Sequence, residues 1–449
     1  MSVEDRVQAA ARATGDTVRD IRPLDLPEEL PLRLPRARWG RRWATWLAPV
    51  TAAAVVTAVA LALVTIRDAG HTAPAPPAPA GSTIPAGTAP EYYAALDDPA
   101  HTAFNGAGPG RSPGRLNLVM GDTRTGKLVT TIKPPAGETF GGLTGAADDR
   151  TFVVATWQFP APEGLFTGNP AAWYLLRVTP GAGAVLTKLP IPGQPSGTMV
   201  DGVALSPDGR ELAVMFQRRV WFKRPTGPLT LTIYSIPSGK ALRTWTADTK
   251  QFPAGFGWYW GRYSNSSVTW LADGHTLAFD FGINDGENGP PLGGVFGGLT
   301  VRTLDLARPG HDLLAASKVV LSQKADKLPR CDTLQVTADG RTALCGTQAG
   351  TDTAQPASVP EFIEYSLATG KPHVVYRLKG TWALAIADVL WASPDGGTLI
   401  GSLYATRTAP WGKEGSIGST NAGVITKGTF KPIRFPLSNG TPFAGEIAF

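Results

Sequence analysis

Two cysteines, Cys331 and Cys345, are the residues whose spacing most directly predicts a covalent bond. They flank the hairpin-like segment 333–343, and their midpoint falls inside the Thr-Ala-Asp-Gly turn at 337–340. Residues placed symmetrically about a turn face each other across the two strands, with Cα atoms about 4.5–5.5 Å apart. That separation suits disulfide geometry. We therefore expect a Cys331–Cys345 disulfide; the alternative is two independent buried thiols.

Histidines and carboxylates give no comparable pattern. The histidines occur singly, without metal-ligand spacing, at positions 71, 101, 275, 311 and 373. The sequence contains no serine nucleophile elbow, phosphate-binding loop or His-Glu-x-x-His helix. The acidic segment 280–288 lacks the spacing of an EF-hand and is predicted to be a solvated loop. The sequence therefore predicts no catalytic residue, no metal and no cofactor.

Aromatic residues are concentrated in the segment 252–263, where glycines separate them. This composition indicates a loop, because a strand would alternate and avoid glycine. Exposed rings supply rigid contact area for a protein or a sugar, whereas the alternative is that they pack between neighbouring units of the fold. A second glycine-rich segment follows at 290–298. The candidate binding residues are Phe252, Phe256, Trp258, Tyr259, Trp260, Arg262 and Tyr263.

The elements that must position these residues are short strands around a recurring turn. Five times, an apolar run stops at a turn that contains aspartate and resumes as a second apolar run; the turn is small residue-Asp-Gly in four copies and Ala-Asp-Asp-Arg in the first. Asp-Gly is a strong hairpin signal because glycine adopts positive φ and aspartate bonds its own downstream backbone. The turn aspartates lie 59, 65, 66 and 56 residues apart, at Asp149, Asp208, Asp273, Asp339 and Asp395.

A second turn type alternates with the first. Thr-Gly-Lys or Ser-Gly-Lys follows an apolar run at 125–127, 238–240 and 369–371. Two hairpins per period make four strands per unit, and a fixed period indicates a repeat architecture. The predicted fold class is all-β, a β-propeller of four-stranded blades. A β-sandwich with ordinary hairpins is the alternative.

The Ser-Pro-Asp-Gly turns at 206–209 and 393–396, each followed by an apolar strand, carry a resemblance to known families. With the Gly-Lys turns, they make residues 90–449 resemble TolB-like, YVTN-like and WD-repeat-like propellers. No Gly-His and Trp-Asp pair marks the units, so the chain does not resemble strict WD-repeat proteins. The resemblance implies the fold but no single activity, since propellers host enzymes, receptors and scaffolds.

Counting hairpins predicts six blades, with seven as the alternative. Five blades open near residues 143, 201, 267, 332 and 387, and three strand candidates precede them at 92–96, 116–120 and 128–132. The missing first strand of that blade is predicted to come from residues 444–449, pairing with 92–96. Closing the ring in this way leaves few exposed edges.

The N-terminal quarter predicts the location of the propeller. Residues 43–66 form an uncharged run of 24 residues, which as a helix would span ~36 Å, enough for the hydrocarbon core. A cleaved signal peptide is the competing interpretation, but its apolar region is usually shorter and its basic region is brief. We therefore expect an uncleaved signal anchor. Residues 67–90, rich in proline and alanine, are predicted to form a tether.

Basic residues predict the orientation. Five arginines lie just before the apolar run, at 33, 36, 38, 41 and 42, and Arg67 stands almost alone after it. The positive-inside rule then places the N-terminus in the cytoplasm and the propeller, residues 91–449, outside the membrane. The high content of alanine, arginine, glycine and proline is typical of GC-rich genomes such as those of actinobacteria.

Residues 1–42 are predicted to be a short cytoplasmic segment. Ser2 to Asp5 resemble a capping box, and residues 2–20 have a weakly apolar helical face that could dock a cytoplasmic partner; a solvated tail is the alternative. Membrane anti-sigma factors of actinobacteria share this layout of short segment, single span and outer sensor domain. The segment contains no histidine or cysteine, unlike the zinc-binding members of that class.

Charge favours no nucleic-acid partner. Residues 67–449 contain 33 Lys and Arg and 29 Asp and Glu, and no dense basic patch is interleaved with aromatics. The favoured function is a non-enzymatic, membrane-anchored module that binds a protein, a cell-wall polymer or a small ligand outside the cell. An extracytoplasmic hydrolase or lactonase-like enzyme and an anti-sigma-like regulator are the alternatives.

Overall fold

The computed structural model describes fourteen stretches of the chain. The predicted cytoplasmic segment, the predicted membrane helix at 43–66 and most of the tether lie outside them. Among the described residues, no helix is both long and apolar enough to cross a bilayer. The described residues are 88–97, 115–159, 172–179, 183–194, 198–219, 225–247, 268–283, 298–324, 331, 334–349, 359–379, 384–406, 419–437 and 447–449.

These stretches are almost entirely β-strand. The first strands are β1 (Tyr92–Asp97), β2 (Asn117–Asp122), β3 (Leu128–Ile132), β4 (Glu138–Gly145), β5 (Thr151–Gln158), β6 (Ala172–Thr179), β7 (Gly183–Lys188), β8 (Thr198–Leu205), β9 (Glu211–Arg219), β10 (Pro225–Ser235), β11 (Ala241–Ala247) and β12 (Val268–Trp270). The remaining strands are β13 (Thr276–Ile283), β14 (Gly298–Asp305), β15 (Ser317–Lys324), β16 (Gln335–Val336), β17 (Thr342–Gly346), β18 (Gln348–Ala349), β19 (Glu361–Ser366), β20 (Pro372–Arg377), β21 (Leu384–Ala392), β22 (Thr398–Thr406), β23 (Ser419–Thr426), β24 (Thr429–Ile433) and β25 (Ile447–Ala448).

The strands form six antiparallel sheets. From the innermost strand outward, the orders are β25-β1-β2-β3, β4-β5-β6-β7, β8-β9-β10-β11, β12-β13-β14-β15, β16-β17-β19-β20 and β18-β21-β22-β23-β24. The inner strands of neighbouring sheets pack against each other around a ring. The chain is therefore a six-bladed β-propeller, as the alternation of turns predicts. We number the blades 1 to 6 in that order.

Blade 1 closes the ring. Its inner strand β25 comes from the end of the sequence and pairs antiparallel with β1, placing Ala448 opposite Ala94 and Ile447 opposite Ala95. The predicted pairing between residues 444–449 and 92–96 is confirmed for this part. The Phe449 ring is buried, with its centroid 6.3 Å from that of Tyr93 in blade 1 and 6.4 Å from that of Trp391 in blade 6.

The recurring Asp-Gly is explained by the turn between the first two strands of blades 2 to 5 and by the turn between β21 and β22 of blade 6. In blade 3, Asp208 Oδ1 accepts hydrogen bonds from Ser206 Oγ (2.7 Å) and Arg210 N (3.1 Å), and Gly209 has φ 68°. In blade 2, the residue equivalent to the turn aspartate is Asp148 and not Asp149, which the sequence comparison predicts. There Asp148 caps the turn, and Asp149 takes the left-handed position that glycine occupies elsewhere, with φ 50°.

The core lies between the blades. Inner and middle strands are buried, as in β1, whereas outermost strands such as β3 and β11 are largely exposed. A short helix, α1 (Leu313–Ala316), begins at the N-cap Asp312, which accepts bonds from two helix amides. The chain before it lies along β11, where Thr246 N donates to His311 O (2.7 Å). This connection joins the outer parts of blades 3 and 4.

Candidate functional site

The strand order gives the propeller two unlike ends. The turns between the first and second strands of blades 2 to 5, the turn between β21 and β22 of blade 6 and the turn before the outermost strand of every blade lie at one end, which we call the turn end. The other connections, including those between blades, meet at the opposite end, the loop end. The long connections 98–116, 248–267, 284–297 and 407–418 all join strands at the loop end. Long loops are the usual carriers of binding function, so the loop end is the candidate site.

The turn end is held together by its own backbone. Ala272 N of blade 4 donates to Ala338 O of blade 5 (2.7 Å), and Asp339 N of blade 5 donates to Pro394 O of blade 6 (3.0 Å). The turn carboxylates are also occupied, since Asp395 Oδ1 accepts from Ser393 Oγ at 2.6 Å. These backbone groups and carboxylates are therefore already hydrogen-bonded within the turns.

Two turn aspartates differ in electrostatics. Burial raises the pKa of Asp149, although a bond from Glu91 N (2.5 Å) and the charge of Arg150 act in the opposite direction. At Asp273, burial alone would raise the pKa, but hydrogen bonds from Thr276 and from the His275 amide hold it below its ordinary value. The difference follows the number of donors at each carboxylate.

At the loop end, the chain crosses from blade 5 into blade 6. Strand β18 leaves blade 5 and pairs with β21 as the innermost strand of blade 6. Thr347, at the crossing, is fully buried: its N donates to Glu361 O (3.0 Å), its Oγ1 accepts from Glu361 N (2.9 Å) and its O accepts from Ala387 N (3.0 Å). Only glycine fits just before it, since a Cβ at Gly346 would lie 1.9 Å from Ala387 O.

A disulfide braces this crossing. Cys331 and Cys345 are bonded, with Cα atoms 5.6 Å apart, which confirms the predicted pair. The predicted geometry differs, because Cys331 pairs with Thr347 while the register of β16 and β17 places position 334 opposite Cys345. The bond therefore runs diagonally between the strands, one residue before the crossing begins at Gly346.

Polar groups surround the disulfide. Gln323 Nε2 donates to Tyr365 OH (3.0 Å), and burial raises the pKa of the Tyr365 phenol, with a further contribution from the Glu361 charge. Asp280 Oδ2 accepts from Leu334 N (3.1 Å) and ties blade 4 to blade 5. The sequence predicted a solvated loop over 280–288. This prediction is wrong for Asp280, which lies buried in β13.

The aromatic candidates lie outside the described residues: Phe252, Phe256, Trp258, Tyr259, Trp260, Arg262 and Tyr263. Their segment joins β11 of blade 3 to β12 of blade 4, and both strands meet it at the loop end. On either side, Trp245 and Trp270 are buried in one core cluster between these blades. Most of the second glycine-rich segment, 290–298, also lies outside the described residues.

Within the described stretches, no three His, Cys, Asp or Glu side chains converge as a metal site would require. The crossing strand β18 and the bonds of Thr347 were missed by the sequence reasoning. A strand of two residues, such as β18, has no hydrophobic periodicity in the sequence. Gly346, directly after an apolar strand, was the one residue in the sequence that indicated a change of direction there.

Comparison with solved structures gives similarities at low identity. The chain is similar to TolB from Acinetobacter baumannii, with 14% identity and a TM-score of 0.41 over 80% of this chain and 66% of that one. It is also similar to the β-propeller domain of the Trilobed protease from Pyrococcus furiosus, with 12% identity and a TM-score of 0.35 over 71% and 76%. An oligogalacturonate lyase in complex with manganese matches at 13% identity and a TM-score of 0.33 over 72% and 93%.

No protein-family model matches the sequence, and no curated protein matches it. The fold assignment therefore rests on the sheet topology.

Proposed function

We propose that this chain is a membrane-anchored, extracytoplasmic β-propeller that binds a partner at its loop end without carrying out a reaction. The observation that carries the proposal is the difference between the ends. The turn end has turn-to-turn bonds such as Ala272 N to Ala338 O, whereas every connection of twelve or more residues between the described strands joins them at the loop end. The aromatic segment 252–263 supplies the candidate contacts, because rigid rings give contact area at low entropic cost.

Two features support an exported location. A buried disulfide such as Cys331–Cys345 forms and persists in an oxidising compartment. The uncharged run at 43–66, preceded by arginines, fits a signal anchor with its N-terminus in the cytoplasm. A cell-wall polymer, a protein or a small ligand outside the membrane would then meet the loop end.

Binding can be tested with the compact unit 74–449, which contains every described strand. Sedimentation with isolated cell walls in 0.5 M NaCl removes most electrostatic attraction, because the Debye length is then about 4 Å. We expect the wild type to sediment with the walls and the W258A/W260A variant to lose at least tenfold in affinity. The matched control L242A/V319A truncates two exposed apolar side chains of the outer strands and should bind like the wild type.

Equal loss in both variants, or no sedimentation of the wild type, would contradict loop-end binding to the wall. Release of soluble wall fragments by the wild type would instead identify an enzyme.

The location is tested separately with the full chain. A reporter active only outside the membrane should be silent when inserted after Ala37. The same reporter should be active at the exposed turn of Lys427 and Gly428, between β23 and β24. The reverse pattern would remove the signal-anchor assignment.

A further inference from the structure

The outer wall of the propeller has a charge distribution that the small net charge conceals. We call the outermost strand of every blade, with the adjoining residues of the tight turns in blades 1, 3, 5 and 6, the basic rim; the longer connection 306–316 before β15, which contains Arg308 and Asp312, is not part of it. It contains fourteen Lys and Arg and no Asp or Glu, although a share proportional to length would include about four acidic residues. The basic rim comprises residues 124–133, 183–188, 238–247, 317–324, 368–379 and 427–434.

The rim charges whose side chains the structure describes are exposed and mostly uncompensated. Every blade contributes at least one exposed lysine to the rim: Lys127, Lys188, Lys240, Lys318, Lys371 and Lys431. Among the described ion pairs, one involves a rim residue, Arg377 with Glu361. The arginines that follow the Asp-Gly turns behave differently, since Arg210 and Arg341 each lie within 4 Å of the aspartate of their own turn.

Protection of sheet edges does not account for the single sign. An outermost strand exposes unpaired backbone groups, and charged side chains prevent it from pairing with another chain. Glutamate or aspartate would serve that purpose as well as lysine. Six separate strands that carry only positive charge indicate attraction to something negative.

The shape and composition of the rim limit the classes of negatively charged partner that it can bind. The rim follows the perimeter of the ring, so a flat membrane facing the turn end could contact the turn lysines but not those toward the loop end, such as Lys188 at the end of β7. Its exposed apolar side chains are aliphatic, for example Leu128, Val185 and Leu242, and the described rim has no exposed Phe, Tyr or Trp ring on which bases could stack; its exposed imidazole is His373. A flexible chain can follow the curve and place its anionic groups near successive lysines.

We propose that the basic rim binds a flexible linear polyanion, an acidic polysaccharide or a polyol phosphate. Binding there is independent of any partner at the loop end. Several lysines contribute at once, so affinity comes from release of counterions and decreases steeply with salt.

The test measures binding of the 74–449 unit to polyphosphate and to polygalacturonate between 50 and 200 mM NaCl, with neutral dextran as the blank. The rim variant K127Q/K240Q/K371Q is compared with R210Q/R308Q/R341Q, which removes the same charge from arginines that neighbour aspartates. We expect the rim variant to bind at least tenfold more weakly at 50 mM NaCl. Its slope of log affinity against log salt should fall by about two, since each lost contact contributes about 0.7.

The control variant should stay within twofold of the wild type, and thermal unfolding should show that both variants are folded. Preference for polyphosphate or polygalacturonate distinguishes a phosphate from a carboxylate polymer. Equal weakening in the two variants, or no binding of either polyanion, would overturn the proposal. Equal or tighter binding to anionic lipid vesicles or to oligo(dT) would overturn it as well, in favour of a membrane or a nucleic acid.

Discussion

Single residues show how the same turn is built from different sequences. In blade 3, Gly209 takes the left-handed conformation, whereas Asp149 takes it in blade 2. Aspartate tolerates this region better than most residues because its carboxylate bonds locally. At Asp149, the carboxylate also receives Glu91 N, so the strained position joins the start of blade 1 to blade 2.

The burial of Asp149 predicts an unusual pH dependence. Because its pKa is raised in the folded state, its contribution to stability is fully present below its ordinary pKa and is lost as pH rises through the raised value. We therefore expect the free energy of unfolding of wild type, measured relative to D149N, to decrease as pH rises above the ordinary pKa of an aspartate, about 3.9. Urea unfolding at a series of pH values would measure it.

The control for this prediction is D273N. The pKa of Asp273 is lowered, so its contribution is present above its ordinary pKa and is lost as pH falls. The free energy of unfolding of wild type, measured relative to D273N, should therefore increase as pH rises. If the free energy of unfolding of wild type relative to D149N stayed constant or increased with pH, the raised pKa of Asp149 would be refuted.

The disulfide gives the second prediction at this scale. In the loop-entropy model, a bond that closes about 15 residues contributes about 3 kcal/mol. The C331S/C345S variant should therefore fold but unfold at lower urea concentration. Hydrogen exchange should also become faster at 347–349 and 385–387, next to the bond, and remain unchanged in blade 2. Alkylation of thiols in wild type purified without reductant would contradict the bond.

At the scale of elements, the crossing from blade 5 to blade 6 is the least regular part of the described fold. Most inter-blade contacts are packing between apolar faces, but here backbone bonds of Thr347 and β18 join two sheets directly. The crossing places a buried, fully bonded segment at the loop end, beside connections that are long. A rigid base for long loops favours a preorganised binding surface.

Replacing Thr347 by valine tests this element. T347V keeps the shape but removes the acceptor of the buried Glu361 N, which should cost about 1–3 kcal/mol. The control T156V, in blade 2, removes a hydroxyl that donates to Ala172 O and leaves no amide without its acceptor, so it should cost less. Equal losses in chemical denaturation would show that Thr347 has no special role.

At the scale of the whole molecule, the six-bladed ring was predictable from the sequence. The disulfide register, the crossing strand β18 and the basic rim were not. The Asp-Gly and Gly-Lys turns predicted six blades, and the apolar end of the chain predicted closure by β25, because both depend on local patterns. The diagonal register of the disulfide depends on an irregularity near Cys331, and β18 on a contact between blades, neither of which leaves a periodic signal. The basic rim also requires the fold, since it brings six separated segments to one surface.

Ring closure gives a prediction at this scale. F449A removes a buried ring that lies between blades 1 and 6, and we expect a loss of about 3–5 kcal/mol in unfolding free energy. F430A, on the outer strand β24, removes a half-buried ring and should cost clearly less. If F430A were the more damaging in urea titrations, the closing contact would not be the main joint of the ring.

The pairing of Ala94 with Ala448 also sets an order of folding. Hairpins within a blade close loops of tens of residues, whereas this pairing closes more than 350. The chain-entropy penalty is about 3 kcal/mol greater than for a 15-residue loop. The edge of β1 therefore remains unpaired until residues 447 and 448 have been synthesised, and a partly synthesised chain is vulnerable to aggregation for that interval. A slow final phase that disappears in a circular permutant opened between blades 3 and 4, with native ends joined, is the expected kinetic signature.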